Sequence, residues 1–176
     1  KTLVASARAA HIARRGSDFG VQVSDLSIDF KTVMERVDGI RNGSNTSMKK
    51  WLQDATDFFE GEGSFEDEHT VTVGGTALKG KKIIIHTGTR SRRPDIPGID
   101  TVQWLDNRGI LNLSSLPEHL LIVGGSYIGI EFAQAFRRLG SKVTVLQRGD
   151  RILTREDPDI SGIAAEILRG EDITIH

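Results

Sequence analysis

An α/β fold is predicted for this chain of 176 residues, with a small antiparallel β-meander in its middle and the opening of a parallel sheet at its end. Three observations carry that expectation. Residues 118–176 alternate apolar extended runs with amphipathic helical ones, in the order β-α-β-α-β, which implies parallel pairing and right-handed crossovers. The junction "VGGSYIG" (123–129) turns a strand directly into a helix through glycines. "VGGT" (73–76) stands between two short extended runs, and its paired glycines accept the positive φ angles of a tight hairpin.

Taken in order, residues 1–15 suit a helix: Leu3, Ala7, Ala10 and Ile12 recur near helical spacing and Gly16 stops it. Residues 18–29 read as loop plus a short extended piece. Phe30–Ala55 reads as a second helix, with Val33, Met34, Val37, Ile40, Met48 and Leu52 apolar and "RNGSN" (41–45) weakening its middle. "FFEGEGSFED" (58–67), "HTVTVGGTALKG" (69–80) and "KKIIIHTGT" (81–89) predict three or four short strands. "RSRRPDIPGID" (90–100) is a Pro/Gly connector leading to a weakly structured link that ends at Pro117. Beyond it, "HLLIVGG" (119–125) predicts a buried strand, and residues 127–139 a helix with Ile128, Phe132, Ala135, Phe136 and Leu139 on one face and Gly140 as its stop. "KVTVLQ" (142–147) is the second strand. Asp157 and Pro158 open another helix, which Gly170 closes, and "DITIH" (172–176) begins a third strand. The parallel sheet should therefore hold 119–124, 142–147 and 172–176, with the meander within 58–86.

Composition narrows the functional classes. With 23 basic against 24 acidic residues, and a net charge of −1, nothing points to nucleic acid or to an anionic membrane surface. The longest apolar stretch, "LLIV" (120–123), is far below the roughly 18 residues of a membrane span. The first residues lack the continuous apolar run of a signal peptide, so a cytoplasmic location is expected. The chain has no cysteine, which removes disulfides, thiolate ligands and dithiol chemistry from these residues. The histidines (11, 69, 86, 119 and 176) form no pair at metal-ligand spacing, and no metal site is expected.

The glycine turn offers more. A dinucleotide turn needs a tight bend, close approach of backbone to pyrophosphate, and close helix–strand packing. Gly124 can supply the bend, and Gly129 removes a side chain where helix meets sheet. Ser126 stands where the middle glycine belongs; its Cβ is small, and its hydroxyl could bond a phosphate oxygen. Gly124, Gly125, Ser126, Tyr127, Ile128 and Gly129 thus form the candidate cradle, with the helix N-terminus presenting free N–H groups and a positive dipole end. Its alternative is a plain strand–helix corner. At the end of the next strand, where a carboxylate commonly holds a ribose 2′-OH, stand Gln147 and Arg148, with Arg151 close behind. An absent acid beside cations leans toward NADP, whose 2′-phosphate suits a guanidinium. The alternative is that Arg148 and Arg151 are solvated and Gln147 bonds a plain ribose of NAD.

"GGSYIGIEFAQAFRRLGSKVTVLQRGDRIL" resembles the NAD(P)-binding region of the flavoprotein pyridine nucleotide–disulfide oxidoreductases, which include lipoamide dehydrogenase and mercuric reductase. "KKIIIHTGTRSRRPDIPGID" is similar to their segment that passes beside FAD, "GEGSF" (61–65) to the one along the adenine, and "KTLVASARAAHIARR" to the helix after the redox cysteine pair. The resemblance implies a partial FAD-binding domain over 1–117 and the N-terminal part of a Rossmann-like NAD(P)-binding domain over 118–176. It implies that Gly63, Thr87 and Gly88 present backbone to FAD. It also implies that Tyr127 covers the flavin on the nicotinamide side, and that Glu131 stands near the nicotinamide as the partner of a catalytic Lys1. A lysine at the flavin edge would stabilise negative charge on reduced flavin. Each has a plain structural alternative: a helix-start tyrosine, a first-turn acid favoured by the helix dipole, a frayed terminus, a turn glycine.

The family's first FAD glycine loop, its cysteine pair and its carboxy-terminal interface domain do not occur in this sequence. The resemblance therefore implies an internal piece of a larger, homodimeric enzyme that passes hydride from NAD(P)H through FAD to a disulfide or another small acceptor. The contrasting expectation is a nucleotide-binding or structural fragment that is inactive alone.

Overall fold

The structure, a computed structural model, describes residues 1–176. Packing divides them into two compact units: Lys1–Ile40 together with Gln103–His176, and Arg41–Val102.

The first unit is built on a parallel sheet. Strands β4 (His119–Val123), β5 (Lys142–Leu146) and β6 (Ile173–Ile175) pair in that order, with Leu120 opposite Val143 and Val143 opposite Ile173. Helix α3 (Tyr127–Leu139) joins the first two strands and α4 (Pro158–Gly170) the last two, as the alternation predicts. β5 is central, and its middle is buried on both faces: Val143 and Val145 are both fully covered and Thr144 is buried, while Leu146 at its end is exposed. β4 differs from the buried strand that was expected. It is an edge strand, and Leu121 and Val123 are each 56% exposed while Leu120 and Ile122 pack on the core. The run "LLIV" is apolar on both faces, but only one face is covered in this chain, so burial alternates with the pleat.

Helix α1 (Thr2–Arg14) packs along α3, so α3 is covered on two sides, by the sheet and by α1. That explains why Ala133, Ala135, Phe136 and Leu139 are all buried, a wider band than one amphipathic stripe. Leu3, Ala7 and Ala10 form the contact face of α1. Ile12, expected with them, is one position off that stripe and 52% exposed. Helix α2 (Phe30–Ala55) adds Phe30, Met34 and Val37 to the same core, and the Phe30 ring meets Phe136 at 6.0 Å between centroids. The helix runs unbroken through "RNGSN", against expectation, because single glycine and asparagine residues cost a helix only about 1 kcal/mol or less each. Packing is what changes there: every side chain from Gly39 to Trp51 is exposed.

Two helix starts behave unlike each other. Asp29 caps α2, accepting the Thr32 N–H (3.1 Å) and the Thr32 hydroxyl (2.7 Å), and these bonds hold its carboxyl below the usual range. Asp157 occupies the corresponding place before α4, but its side chain makes no capping bond; only its backbone carbonyl receives the Ser161 N–H. Gly170 is the last residue of α4 rather than the one after it, and Glu171 follows as the cap.

In the second unit, β1 (Gly63–Asp67), β2 (Thr70–Val73) and β3 (Thr76–Lys79) form the antiparallel meander. Gly74 (φ +56°) and Gly75 (φ +82°) make the two-residue turn that "VGGT" predicts. Asp67 turns the chain from β1 into β2 by accepting the His69 N–H (2.7 Å) and the Thr70 hydroxyl (2.9 Å). The strand predicted within 81–89 does not form. No strand pairs with this segment, and Ile84 and Ile85 are 89% and 69% exposed; a β-branched run becomes a strand only beside a partner. No helix is long and apolar enough to cross a membrane.

Candidate functional site

The glycine turn begins where β4 ends. Gly124 adopts φ +105°, a conformation that L side chains rarely take, and its N–H donates to the Leu146 carbonyl at 2.8 Å. This bond extends the β4–β5 ladder one step and aims the chain back over the sheet. Ser126 stands at the N-cap of α3 in extended conformation, exposed, with its hydroxyl making no capping bond. Tyr127, 65% exposed, and Ile128 follow at the solvent surface. The first intrahelical bond runs from Ile130 N–H to the Ser126 carbonyl. The N–H groups of the first turn before Ile130 lack helical acceptors, as at any helix start.

Gly129 is the tightest point. A methyl group built on it would overlap the carbonyl oxygen of Gly124, closer than the 3.0 Å that real Cβ contacts respect, and would also touch Ile122 Cγ2 at 3.4 Å. Glycine is required there so that α3 can start directly against the strand it leaves. Gly125 is buried, and a Cβ on it would stand 2.5 Å from Ile152 Cγ2.

The end of β5 closes the other side. The Gln147 amide oxygen accepts the Gly125 N–H at 2.9 Å, across 22 residues of sequence. The Gly125 carbonyl in turn accepts the Leu153 N–H at 2.8 Å. Leu153 itself adopts φ +48°, unusual for a branched side chain, and its carbonyl accepts the hydroxyl of the buried Ser161 at 3.1 Å. Ile152 is 2% exposed. The turn is therefore braced from outside by the loop 147–153 and by α4. Sequence reasoning singled out Gln147 as a ligand contact only, and missed Ile152, Leu153 and Ser161. The available signal was an apolar pair inside the otherwise charged stretch "RGDRILTRED". Arg148 is exposed, whereas Arg151 is half-buried and donates to the Thr154 carbonyl at 3.3 Å.

Of the remaining predicted residues, Glu131 is exposed on the second turn of α3, and Lys1 is exposed just before α1. Their helices pack together, but no ion pair joins the two side chains. Gly63 lies exposed on β1, paired with Val73. Thr87 and Gly88 lie in the exposed segment after β3; Gly88 takes φ +70° with open space where a Cβ would be.

The far end of α3 carries a largely covered ion pair. Arg138 holds Glu171 through two bonds of 2.7 and 2.6 Å, with the two side chains 18% and 16% exposed. Gln134 donates to the same carboxylate (2.7 Å) and Arg137 to the Glu171 carbonyl (2.9 Å). Burial alone would raise the Glu171 pKa, but the hydrogen bonds and charge of Arg138, helped by His11 and Gln134, lower it instead. On α1, burial and the neighbouring Arg138 lower the pKa of His11, against the pull of Glu171.

The sequence profile described as "Pyridine nucleotide-disulphide oxidoreductase" matches residues 1–176. The chain is 33% identical over 177 residues to a mercuric reductase of Bacillus cereus, covering 99% of this chain and 28% of that protein. It is 34% identical over 184 residues to a dihydrolipoyl dehydrogenase of Acholeplasma laidlawii, covering 99% of this chain and 54% of that protein. Among solved structures, the HOCl-induced flavoprotein disulfide reductase RclA from Escherichia coli superposes with a TM-score of 0.83 at 36% identity, over 100% of this chain and 38% of that one. The chain thus spans only part of the length of each of these relatives.

Proposed function

Because the chain belongs to the pyridine nucleotide-disulphide oxidoreductase family, we propose that it is part of an FAD-dependent enzyme that takes hydride from NADPH and passes it to a disulfide or another small acceptor. In this reading residues 1–117 contribute to the FAD-binding domain and 118–176 open the nucleotide domain. The whole enzyme is a cytoplasmic homodimer without nucleic-acid or membrane partners. The single observation that carries the reading is the glycine turn: at Gly129 a side chain would collide with the Gly124 carbonyl, so only glycine lets α3 start directly against the end of β4. Such a cradle, with free N–H groups at a helix start, fits a pyrophosphate.

The residues divide the work. Gly124 bends the chain, and the Ser126 hydroxyl, free of any capping bond, can donate to a phosphate oxygen. Gln147 and Arg148 face the adenosine end, where a guanidinium favours a 2′-phosphate over a hydroxyl. Gly63, Thr87 and Gly88 present exposed backbone for FAD, and the open space at Gly88 leaves it approachable. When bound, FAD supplies the two-electron relay between nicotinamide and acceptor. Tyr127, already 65% exposed, is free to cover or uncover the nicotinamide side. Lys1 supplies positive charge at the flavin edge, and Glu131, which makes no ion pair with it here, stands near the nicotinamide.

Titration calorimetry with NADPH and NADH tests this reading. The wild type is expected to bind NADPH more tightly, and Arg148→Ala to reduce that preference by about 3–10-fold, a modest factor because the exposed site is screened by salt. Absence of binding by either nucleotide would remove the turn from cofactor recognition. An unchanged NADPH/NADH ratio in Arg148→Ala would make Arg148 a solvated loop residue.

A further inference from the structure

The geometry points to Gln147 as a positioning residue for the glycine turn as well as a reader of the nucleotide's 2′-substituent, with the two ends of one amide divided between the two tasks. The inference rests on the nucleotide reading above. It adds that recognition at the ribose and the shape of the pyrophosphate cradle are set by the same side chain.

Three observations support it. First, the Gln147 amide oxygen is already engaged: it accepts the Gly125 N–H at 2.9 Å. Gly125 is buried, and its carbonyl is taken by Leu153 N–H. If the Gln147 oxygen were removed, the buried Gly125 N–H would lose its acceptor, and a buried unpaired donor is costly. Second, a side-chain bond from Gly125 to 147 is the step that follows the backbone bond from Gly124 N–H to Leu146 O. The ladder between β4 and β5 is thus prolonged by a side chain where the backbones diverge, and this fixes the turn just before α3 begins. Third, with the oxygen committed, only the amide NH2 remains for a ligand, and it lies toward Gly149, near where a Cβ on that glycine would stand (3.2 Å). An NH2 offers two donors and no acceptor. It therefore favours an acceptor-only group such as a 2′-phosphate, and serves a 2′-hydroxyl only as an acceptor.

The two tasks separate chemically. Glutamate at 147 keeps an oxygen for Gly125, in a charge-assisted bond, but replaces the two donors with a second anionic oxygen. Methionine is close to isosteric and supplies neither donors nor a strong acceptor.

The test uses two half-ligands on the 176-residue chain: ADP, which carries the pyrophosphate and a free 2′-OH, and 2′,5′-ADP, which carries the 2′-phosphate without a pyrophosphate. Gln147→Glu is expected to bind ADP at least as tightly as wild type, because its second oxygen can accept the free 2′-OH, while losing 2′,5′-ADP by about tenfold or more. Gln147→Met is expected to weaken both by about tenfold, and the Gly125 amide proton, protected in wild type and in Gln147→Glu, to exchange faster. The retained ADP binding of Gln147→Glu distinguishes positioning from general damage to the fold. Unchanged ADP affinity, or unchanged Gly125 exchange, in Gln147→Met would overturn the inference. A wild type that binds ADP but not 2′,5′-ADP would instead sink the NADPH preference, while the Gln147→Met response would still decide whether the turn is held by this side chain.

Discussion

Replacing Gly129 with alanine should set two opposed effects against each other, and the structure says which prevails. Alanine in a helix interior is favoured over glycine by about 1 kcal/mol. At Gly129, however, the new methyl overlaps the Gly124 carbonyl oxygen and meets Ile122 Cγ2 at 3.4 Å. The obstacle is backbone, tied by the Gly124 N–H bond to Leu146 at 2.8 Å, so it cannot swing aside as a side chain end would. Relief requires α3 to move off β4 by about 1 Å, and overpacking of this kind costs about 1–3 kcal/mol. Gly129→Ala is thus expected to lose up to about 2 kcal/mol net. Nucleotide affinity should fall with it, because the helix N-terminus shifts away from the pyrophosphate. Gly162 is the internal control: it lies within α4, and a Cβ there meets nothing within 4 Å. Gly162→Ala should gain about 0.5–1 kcal/mol and leave nucleotide binding alone. Urea denaturation of both variants, with calorimetric titration of NADPH, measures the contrast. If the two substitutions stabilise the protein equally, the close approach of α3 to β4 is not what requires a glycine.

Three further outcomes are expected. Asp29→Ala should lower the unfolding midpoint through loss of the α2 cap, whereas Asp157→Ala, whose side chain caps nothing, should leave it nearly unchanged; similar losses for both in thermal denaturation would contradict the difference. Glu171→Ala should cost about 2–4 kcal/mol, since it strands Arg138 in a largely covered position, and chemical denaturation at neutral pH reads it directly. Stability should also fall with acidification in two steps. The pKa of His11 is lowered by folding, so the unfolded chain binds more protons just below pH 6.5 and stability drops there as pH falls. The pKa of Glu171 is lowered too, so a second loss follows below about 4.5, its unfolded value. His11→Gln should flatten the first step only, and an unaltered stability profile between pH 5 and 7 in that variant would count against it.

What was legible in the sequence is what depends on one segment at a time. The strand–helix alternation after Glu118, the stop at Gly140 and the hairpin at Gly74–Gly75 each follow from local periodicity and from glycine's conformational range. What was not legible depends on partners far along the chain. "IIIHT" has the composition of a strand and pairs with nothing, while "LLIV" is apolar on both faces and covered on one. The bond between Gly125 and Gln147, the seat of Ile152 under the turn, and the placement of Leu153 by Ser161 join positions that no periodicity relates. Glycine spacing set between a strand and an amphipathic helix pointed to the candidate site, and the loop that braces it came to light only through these distant contacts.

The packing of α1 on α3 has a consequence for how the protein is made. Arg14 reaches the Arg138 carbonyl across 124 residues of sequence, and at synthesis rates of about 5–20 residues per second that separation is about 6–25 s of elongation. Throughout that interval Leu3, Ala7 and Ala10 have been made and the surface they will cover has not. Isolated helices of thirteen residues are marginal in water, so α1 waits as a fluctuating, partly apolar segment. A nascent chain stalled before residue 139 should therefore leave the α3-facing side of residues 2–14 accessible to protease and to chaperones, and release of α3 should close it off in a single late step.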